Sequence, residues 1–478
     1  MNLPFNMKRL IVLIGALLLF VNVEAQTQAV RIFGNAPDYA GRKIALQVSN
    51  DPVTDHNETL VELNILPDGS FDESVLINQT TCCFANFDRW KAVIYLQPTQ
   101  SYQLVFPPSQ PLTEQEKRNP FFRSSEIAFG LKELPEDDIN RLIQKFEVAY
   151  NEEENRYFNQ IFKDKSAAAA DQMINHLNSQ FPKSENSYFE NYKFFRLTAI
   201  RFALSQNKTN SFVKTYIDRQ PIDFNLPPFR EIFDQQFSNF FYQESNKIGG
   251  EQFRRLVGTA NLQGIENYLT KQKGWSTKLS RMVILKGISD GFYQAQFNPQ
   301  TMLILLDKIA QSDWTATEKS TAALLKSKLI YLTKGTAAPD LSLKTLNGDE
   351  VKLSAFKGKL TYLSFTTITN PICRQHLDEL KKFAQQFASN VEFVTVLPEA
   401  DLSRKEVILQ QNWPGKILIA DDKAIETYQV KTFPTAFLLD EKQVFIASPA
   451  LNPLDGLQQE LAGILKNKRI EQLRDQAK

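Results

Sequence analysis

The chain has 478 residues, which is too many for one ordinary hydrophobic core, so we expect two to four domains. Its 42% hydrophobic and 23% charged residues are typical of a folded protein and exclude a largely disordered one. The 55 basic and 54 acidic side chains nearly cancel, so the composition gives no support for a nucleic-acid partner.

Residues 1–25 have the pattern of a secretory signal peptide. A basic segment at 7–9 precedes an apolar run at 10–21, and small residues suited to cleavage follow at 23–25. The apolar run is short for a membrane-spanning helix, and an uncleaved anchor is the alternative. We therefore predict an exported, periplasmic protein that does not span the membrane once the signal is removed.

Residues 29–110 alternate between apolar and polar side chains in short runs. The runs at 43–48, 60–65, 92–96 and 102–106 fit strands of period two. Residues 67–70 read Pro-Asp-Gly-Ser, which favours a hairpin turn between two of these strands. Strands this short and closely spaced predict an N-terminal β-sandwich.

The chain contains three cysteines, two of which are the neighbours Cys82 and Cys83. So few cysteines do not form a disulfide framework, even in an exported protein. A bond between adjacent cysteines requires a strained turn. We therefore predict that Cys82 and Cys83 are free, buried or half-buried thiols.

Residues 111–333 are predicted to form an all-α region. Ile139, Ile143 and Phe146 recur at the spacing of one helix face. Asn298 followed by proline is a helix start, and Thr315 with Glu318 forms a capping box ahead of another apolar helix. The many aromatic side chains of this region are interpreted as core.

Residues 336–467 alternate between strand and helix patterns. Strands are predicted at 360–366, 391–396, 417–420, 435–439 and 444–448, and helices at 371–387, 403–411 and 454–466. This pattern predicts a C-terminal α/β domain. Residues 468–478 are interpreted as a charged, frayed tail.

Four segments of this domain carry a family resemblance: residues 338–343, 351–358, 363–374 and 430–440. In this order they resemble the exported thioredoxin-like domains of the TlpA type, which grade into the redoxin group. The resemblance implies a thioredoxin fold, a thiol–disulfide active site of the form Cys-x-x-Cys, and a cis-proline at Pro434. It also implies that Phe433, Pro434 and Thr435 border the substrate groove.

The chain departs from this family at the active-site turn, where it reads Asn370-Pro-Ile-Cys373. By alignment, Asn370 occupies the position of the attacking cysteine and Cys373 that of the resolving cysteine. The peroxidatic cysteine of peroxiredoxins falls on position 370 as well. Asparagine is a good N-cap residue and proline suits the first helical position, so the pair predicts a helix start without a nucleophile.

Cys373 and His376 are three residues apart on one helix face, which is compatible with a metal or nucleophile–base pair. Zinc requires three or four ligands, and the other histidines, His56 and His176, lie in earlier regions. We expect no metal site and no cofactor.

Three functions remain open from the sequence. The first is a non-catalytic thioredoxin-fold module that binds an unknown protein or peptide, or serves as a scaffold, in the cell envelope. The second is a weak thiol–disulfide oxidoreductase acting through Cys373, with Cys82 or Cys83 as a distant partner. The third is a glycan- or envelope-binding protein that uses the β-domain.

Overall fold

A computed structural model describes residues 28–113, 116, 122–204, 210–219 and 222–476. The predicted signal peptide, residues 1–25, lies outside the described residues. The chain divides into two compact units. Counted over the described residues, the N-terminal unit comprises residues up to 112 and 123–323, and the C-terminal unit comprises 113–122 and 324 onwards.

The strands of the N-terminal unit form two sheets, ordered β4-β1-β7-β9 and β3-β2-β5-β6-β8. Alternate side chains of both sheets, such as Ile32, Leu46 and Ile94, share one core. The strands are β1 Gln28–Asn35, β2 Lys43–Val48, β3 Glu58–Asn64, β4 Ser70–Ile77, β5 Thr81–Phe87, β6 Trp90–Leu96, β7 Ser101–Val105, β8 Ser125–Ala128 and β9 Gly130–Lys132.

Two features of these sheets differ from the sequence-based expectation. The turn at 67–70 forms, with Gly69 N–H donating to the Leu66 carbonyl oxygen at 2.8 Å, but it carries the chain from one sheet to the other instead of closing a hairpin. The strands β8 and β9 lie inside the 111–333 segment predicted as helical. Each adds to one sheet, β8 beside β6 and β9 beside β7, and Phe129 between them enters the shared core.

Among the described residues, eleven α-helices lie in the N-terminal unit or begin there. They are α1 Ile139–Phe158, α2 Ala167–Gln180, α3 Ser187–Leu204, α4 Asn210–Phe212, α5 Pro227–Phe237, α6 Phe240–Asn246, α7 Glu251–Gly258, α8 Leu262–Asn267, α9 Thr277–Phe292, α10 Pro299–Ala310 and α11 Ala316–Ile330. The predicted capping box opens α11: Thr315 N–H donates to Glu318 Oε2 at 2.9 Å, and Glu318 N–H donates to Thr315 Oγ1 at 3.3 Å.

Two asparagine side chains join the helices to the sandwich. Cys82 and Tyr95 are register partners on β5 and β6. Asn225 accepts from Cys82 N–H at 2.6 Å and donates to its carbonyl at 2.9 Å. Asn140 does the same for Tyr95, at 2.8 Å in each direction. The two side-chain amides thus make the hydrogen bonds that a neighbouring strand would make to the N–H and carbonyl groups of Cys82 and Tyr95. Buried backbone groups need such partners.

The C-terminal unit contains a seven-stranded sheet of order β11-β10-β14-β13-β12-β15-β16, with β12, β13 and β14 parallel. Apolar clusters cover both faces of this sheet. Its elements are β10 Ser342–Thr345, β11 Glu350–Lys352, β12 Leu360–Phe365, α12 Pro371–Phe387, β13 Val391–Pro398, α13 Lys405–Gln411, β14 Lys416–Ala420, α14 Asp422–Thr427, β15 Thr435–Leu439, β16 Phe445–Ala447 and α15 Leu457–Gln476.

The charged segment after 467 is helical as far as the structure describes it, because α15 continues to Gln476. Lys468 on this helix forms an ion pair with Glu441 at 2.7 Å. The prediction of a frayed tail beginning at 468 is therefore wrong for these residues. No helix in the described ranges combines the length and apolar character needed to cross a membrane.

Candidate functional site at the turn before helix α12

The turn that resembles an active site lies at the carboxyl end of β12. All six residues of this strand are buried, and it pairs in parallel with β13 and antiparallel with β15. Phe365 at its end is the register partner of Thr435 at the start of β15. The sheet therefore brings the 366–370 turn next to the segment that contains Pro434.

Asn370 is the N-cap residue of α12. Its side-chain Oδ1 accepts a hydrogen bond from Ile372 N–H at 2.9 Å, and Pro371 occupies the first helical position. The amide thus satisfies one of the N–H groups that a helix start leaves unpaired. An amide in this place accepts a hydrogen bond but does not attack a disulfide.

Cys373 lies one turn inside α12 and is fully buried, with 0% of its surface exposed. It is a free thiol, and no other cysteine occurs after residue 83. Disulfide exchange requires the attacking sulfur to reach a substrate sulfur. In this conformation Cys373 does not present its sulfur to a substrate.

Asp401, which no sequence motif singles out as a site residue, binds the turn through its carboxylate. Its carboxylate is 1% exposed, and Oδ2 accepts from the Thr367 hydroxyl and from Ile368 N–H, both at 2.9 Å. Arg374 donates to the Ile368 carbonyl oxygen at 2.6 Å. The sequence offered only the two strands predicted at 360–366 and 391–396; once these strands pair in parallel, the segments that follow their carboxyl ends meet at one sheet edge.

His376 is buried on α12, and its Nδ1 has no hydrogen-bond partner among the described residues. Burial lowers the pKa of His376, and the charge of Asp455 opposes this effect. The ring is therefore neutral at neutral pH. No group of three or more histidine, cysteine or acidic side chains suited to a metal ion occurs in the described part of the chain.

The peptide bond between Phe433 and Pro434 is cis. Phe433 is half-buried and packs against an apolar cluster that includes Phe365 and Tyr428. The Thr435 hydroxyl donates to the Thr432 carbonyl oxygen at 2.6 Å. The aromatic ring therefore belongs partly to the core of this unit and partly to the surface beside the turn.

Cys82 and Cys83 lie in the N-terminal unit, and both are free, as predicted. Burial raises the pKa of Cys82 to about 12, while the positive charge of Arg230 acts to lower it. Burial raises the pKa of Cys83 well above its usual value, and the neighbouring Cys82 adds to this. Neither sulfur is a nucleophile at neutral pH, because the thiolate is the reactive form.

A turn and helix at the end of a central parallel strand, with a cis-proline segment on the adjacent antiparallel strand, define a thioredoxin-like domain. The AhpC/TSA family matches residues 334–447. The thioredoxin-like protein YneN of Bacillus subtilis is 33% identical over 124 residues, which cover 24% of this chain and 71% of that protein. The chain therefore belongs to the thioredoxin-like family through its C-terminal part.

Two further relatives are more distant. The thiol-disulfide oxidoreductase ResA of Bacillus thuringiensis subsp. konkukian is 29% identical over 112 residues, 22% of this chain and 64% of that protein, which is less than two thirds of its length. A crystal structure of a thioredoxin-like protein from Bacteroides caccae shares 16% identity and covers 54% of this chain and 91% of its own, with a TM-score of 0.30.

Proposed function

We propose that this chain is an exported thioredoxin-fold protein whose C-terminal domain binds a protein or peptide in the cell envelope without exchanging disulfides. The observation that carries the proposal is the side-chain cap of Asn370 on α12, at the position where the attacking thiol is expected. The helix start is kept and the nucleophile is absent.

The position of Cys373 supports the same proposal. A thioredoxin-type reaction uses an exposed thiolate at the helix start to form a mixed disulfide and a second thiol to resolve it. Cys373 alone fills only the second role, and its sulfur is buried. A single buried thiol provides neither the attack nor a complete dithiol pair.

The surface beside the turn favours binding. Ile372 is 56% exposed, and Phe433 and Pro434 are half-buried at the same sheet edge. Exposed apolar side chains next to a strand end suit an extended peptide, which uses apolar contacts and backbone hydrogen bonds together. The export pattern at 1–25 supports a periplasmic location for this interaction.

An insulin-reduction assay on the purified mature chain tests the loss of activity. We expect the wild type and Cys373→Ser to reduce insulin at the same background rate, because neither presents a thiolate at the helix start. Robust turnover in the wild type that disappears in Cys373→Ser would contradict the proposal. It would establish instead the alternative suggested by the name of ResA, a thiol–disulfide oxidoreductase acting through Cys373.

Capture from a native envelope extract tests the binding surface. Ile372→Glu places a charge on the exposed apolar position, and Leu473→Glu does the same on α15, where Leu473 is 58% exposed. We expect a captured partner to be lost with Ile372→Glu and kept with Leu473→Glu. Equal retention by both variants would rule out the turn as the contact.

A further inference from the structure

A cleft with a volume of about 660 Å³ opens within the N-terminal unit. One wall is the outer face of the sheet at β5, β6 and β8, and the other consists of side chains from α1, α3 and α5. This volume lies in the range of small-ligand and side-chain pockets. The cleft shares no residue with the turn before α12.

Aromatic side chains form part of the lining. Tyr95 on β6 and Tyr192 on α3 contact each other edge to face, with their ring centroids 6.1 Å apart. The Lys91 ammonium lies 5.1 Å from the centre of the Phe84 ring and 2.9 Å from Glu126. The cleft thus already holds one primary ammonium between an aromatic face and a carboxylate, a combination that attracts cations.

The charges of the lining are unequal. Three cations, Lys91, Arg196 and Arg230, face five carboxylates, Asp55, Glu126, Glu147, Glu231 and Asp234. The cleft therefore has a formal surplus of two negative charges.

The cations that are present are already engaged. Arg196 binds Glu147 through two hydrogen bonds of 2.9 Å each. Arg230 donates to the Phe224 carbonyl oxygen at 3.2 and 3.0 Å, and to the hydroxyl and carbonyl oxygens of Ser49. Glu231 has no ion pair or hydrogen bond within the described residues, so its charge is open to a ligand.

For two of the carboxylates, the neighbouring cations do not fully offset the effect of burial on the pKa. Burial raises the pKa of Glu231; Arg196 opposes this shift and the charges of Glu147 and Glu126 reinforce it. Burial also raises the pKa of Asp234, although Lys286 lies 3.3 Å away. A bound cation would favour the ionised form of both groups.

The cleft continues into a groove with a volume of about 1020 Å³ that shares Val93, Tyr95, Glu126, Glu147 and Tyr192 with it. The other charged residues that line the groove, Arg141 and Lys145, both form ion pairs with Glu136. This groove runs between α1 and residues 126–131, next to β8, which is the last strand of its sheet in the described part of the chain. A strand edge beside a groove accommodates several residues of an extended chain. The length of the groove favours a peptide over a small free amine.

We propose that the cleft binds the side-chain ammonium of a lysine carried by an extended peptide, with Glu231 as the principal ionic contact. The peptide backbone lies along the groove beside β8. The aromatic rings of the cleft contact the apolar stem of the lysine, which long cationic side chains bury while the charge is satisfied.

Calorimetric titration of the full chain with an N-acetylated, C-amidated tetralysine peptide tests the proposal. The same peptide with acetylated lysine side chains has a closely similar shape without the charge. We expect the charged peptide alone to bind, and Glu231→Gln to weaken its binding about tenfold, as for the loss of one partly desolvated ionic contact. Glu231→Asp keeps the charge and should stay within about threefold of the wild type.

Glu152→Gln is the matched control, because Glu152 is exposed on α1 and does not line the cleft. It should leave the affinity unchanged. Equal binding of the acetylated peptide, wild-type affinity in Glu231→Gln, or an equal loss in Glu152→Gln would each overturn the proposal. Ile372→Glu belongs to the other unit and should not affect this titration, so the outcome is separable from that of the proposed function.

Discussion

The proposed function requires that the cysteines of both units take no part in disulfide exchange, and the two units would meet this requirement in different ways. In the N-terminal unit, Cys82 and Cys83 are adjacent on a strand, and burial is the main cause that raises the pKa of each thiol. In the C-terminal unit, Cys373 is buried on α12, and the N-cap residue of that helix is Asn370, where the proposed function places a missing thiol. The first restraint comes from the surroundings of the thiols and the second from one residue.

This difference predicts how easily the reactivity of each set of thiols can be restored. A change in solvation requires many neighbouring side chains to move, whereas a missing partner requires one substitution. The thiols of the strand should therefore stay inert in any variant that folds, and the turn should respond to a single added sulfur. Four measurements test or sharpen this contrast.

Alkylation of Cys82 should show the largest effect. A pKa raised from 9.0 to about 12 leaves roughly a thousandfold less thiolate at pH 8, because each pKa unit is a factor of ten. We expect iodoacetamide to modify Cys82 about that much more slowly in the folded protein than in urea, as measured by peptide mass mapping. Similar rates in both states would contradict the account of burial.

Asn370→Cys should restore a dithiol pair at the start of α12. The new thiol gains from the helix dipole and free N–H groups, so we expect insulin reduction to rise on the order of a hundredfold above wild type. Asn370→Cys combined with Cys373→Ser is the control, because it forms a mixed disulfide that it does not resolve. Background activity in the single variant would show that more than the nucleophile has been lost.

Asn225→Ala should destabilise the N-terminal unit. The substitution leaves the N–H and carbonyl groups of Cys82 without the partners that they have now, at a cost of about 2 to 3 kcal/mol. Urea unfolding measures this loss, and Asn178→Ala at an exposed position on α2 is the comparison. Equal stability of the two variants would show that water replaces the amide without penalty.

Asn370→Ala should have the smallest effect, a loss of about 1 kcal/mol at the start of α12. Hydrogen exchange at the Ile372 amide reports it directly, since that N–H donates to the cap. Asn370→Asp keeps an acceptor and should retain the protection. If the Ile372 amide also exchanged faster than wild type in Asn370→Asp, the hydrogen bond to the side chain at 370 would not be what protects this amide.

Local signals predicted the thioredoxin-like unit well. The sequence predicts a helix over 371–387 with Asn370 and Pro371 at its start, and α12 has these bounds. The strand predicted at 435–439 is β15. The helix start rests on interactions within a few residues, and the strand is recognisable from its short apolar run although it pairs with the distant β12, so a sequence displays both signals directly.

The remaining features depend on contacts between distant residues. Asp401 lies 33 residues after Ile368, and no spacing motif connects them. The turn at 67–70 has the right residues, but its neighbours pair with different strands, which the turn sequence does not encode. The short runs of β8 and β9 become strands because the edges of two existing sheets accept them.

The side-chain amides of Asn140 and Asn225 limit how the gene for this protein can recombine. Each belongs to the helical segment of the chain, yet each completes the backbone of a strand in the sandwich. Recombination that separated the first 110 residues from the rest would leave the backbone N–H and carbonyl groups of Cys82 and Tyr95 without their asparagine partners. It would also remove β8 and β9 from the two sheets. The sandwich and its helices should therefore pass between genes as one piece.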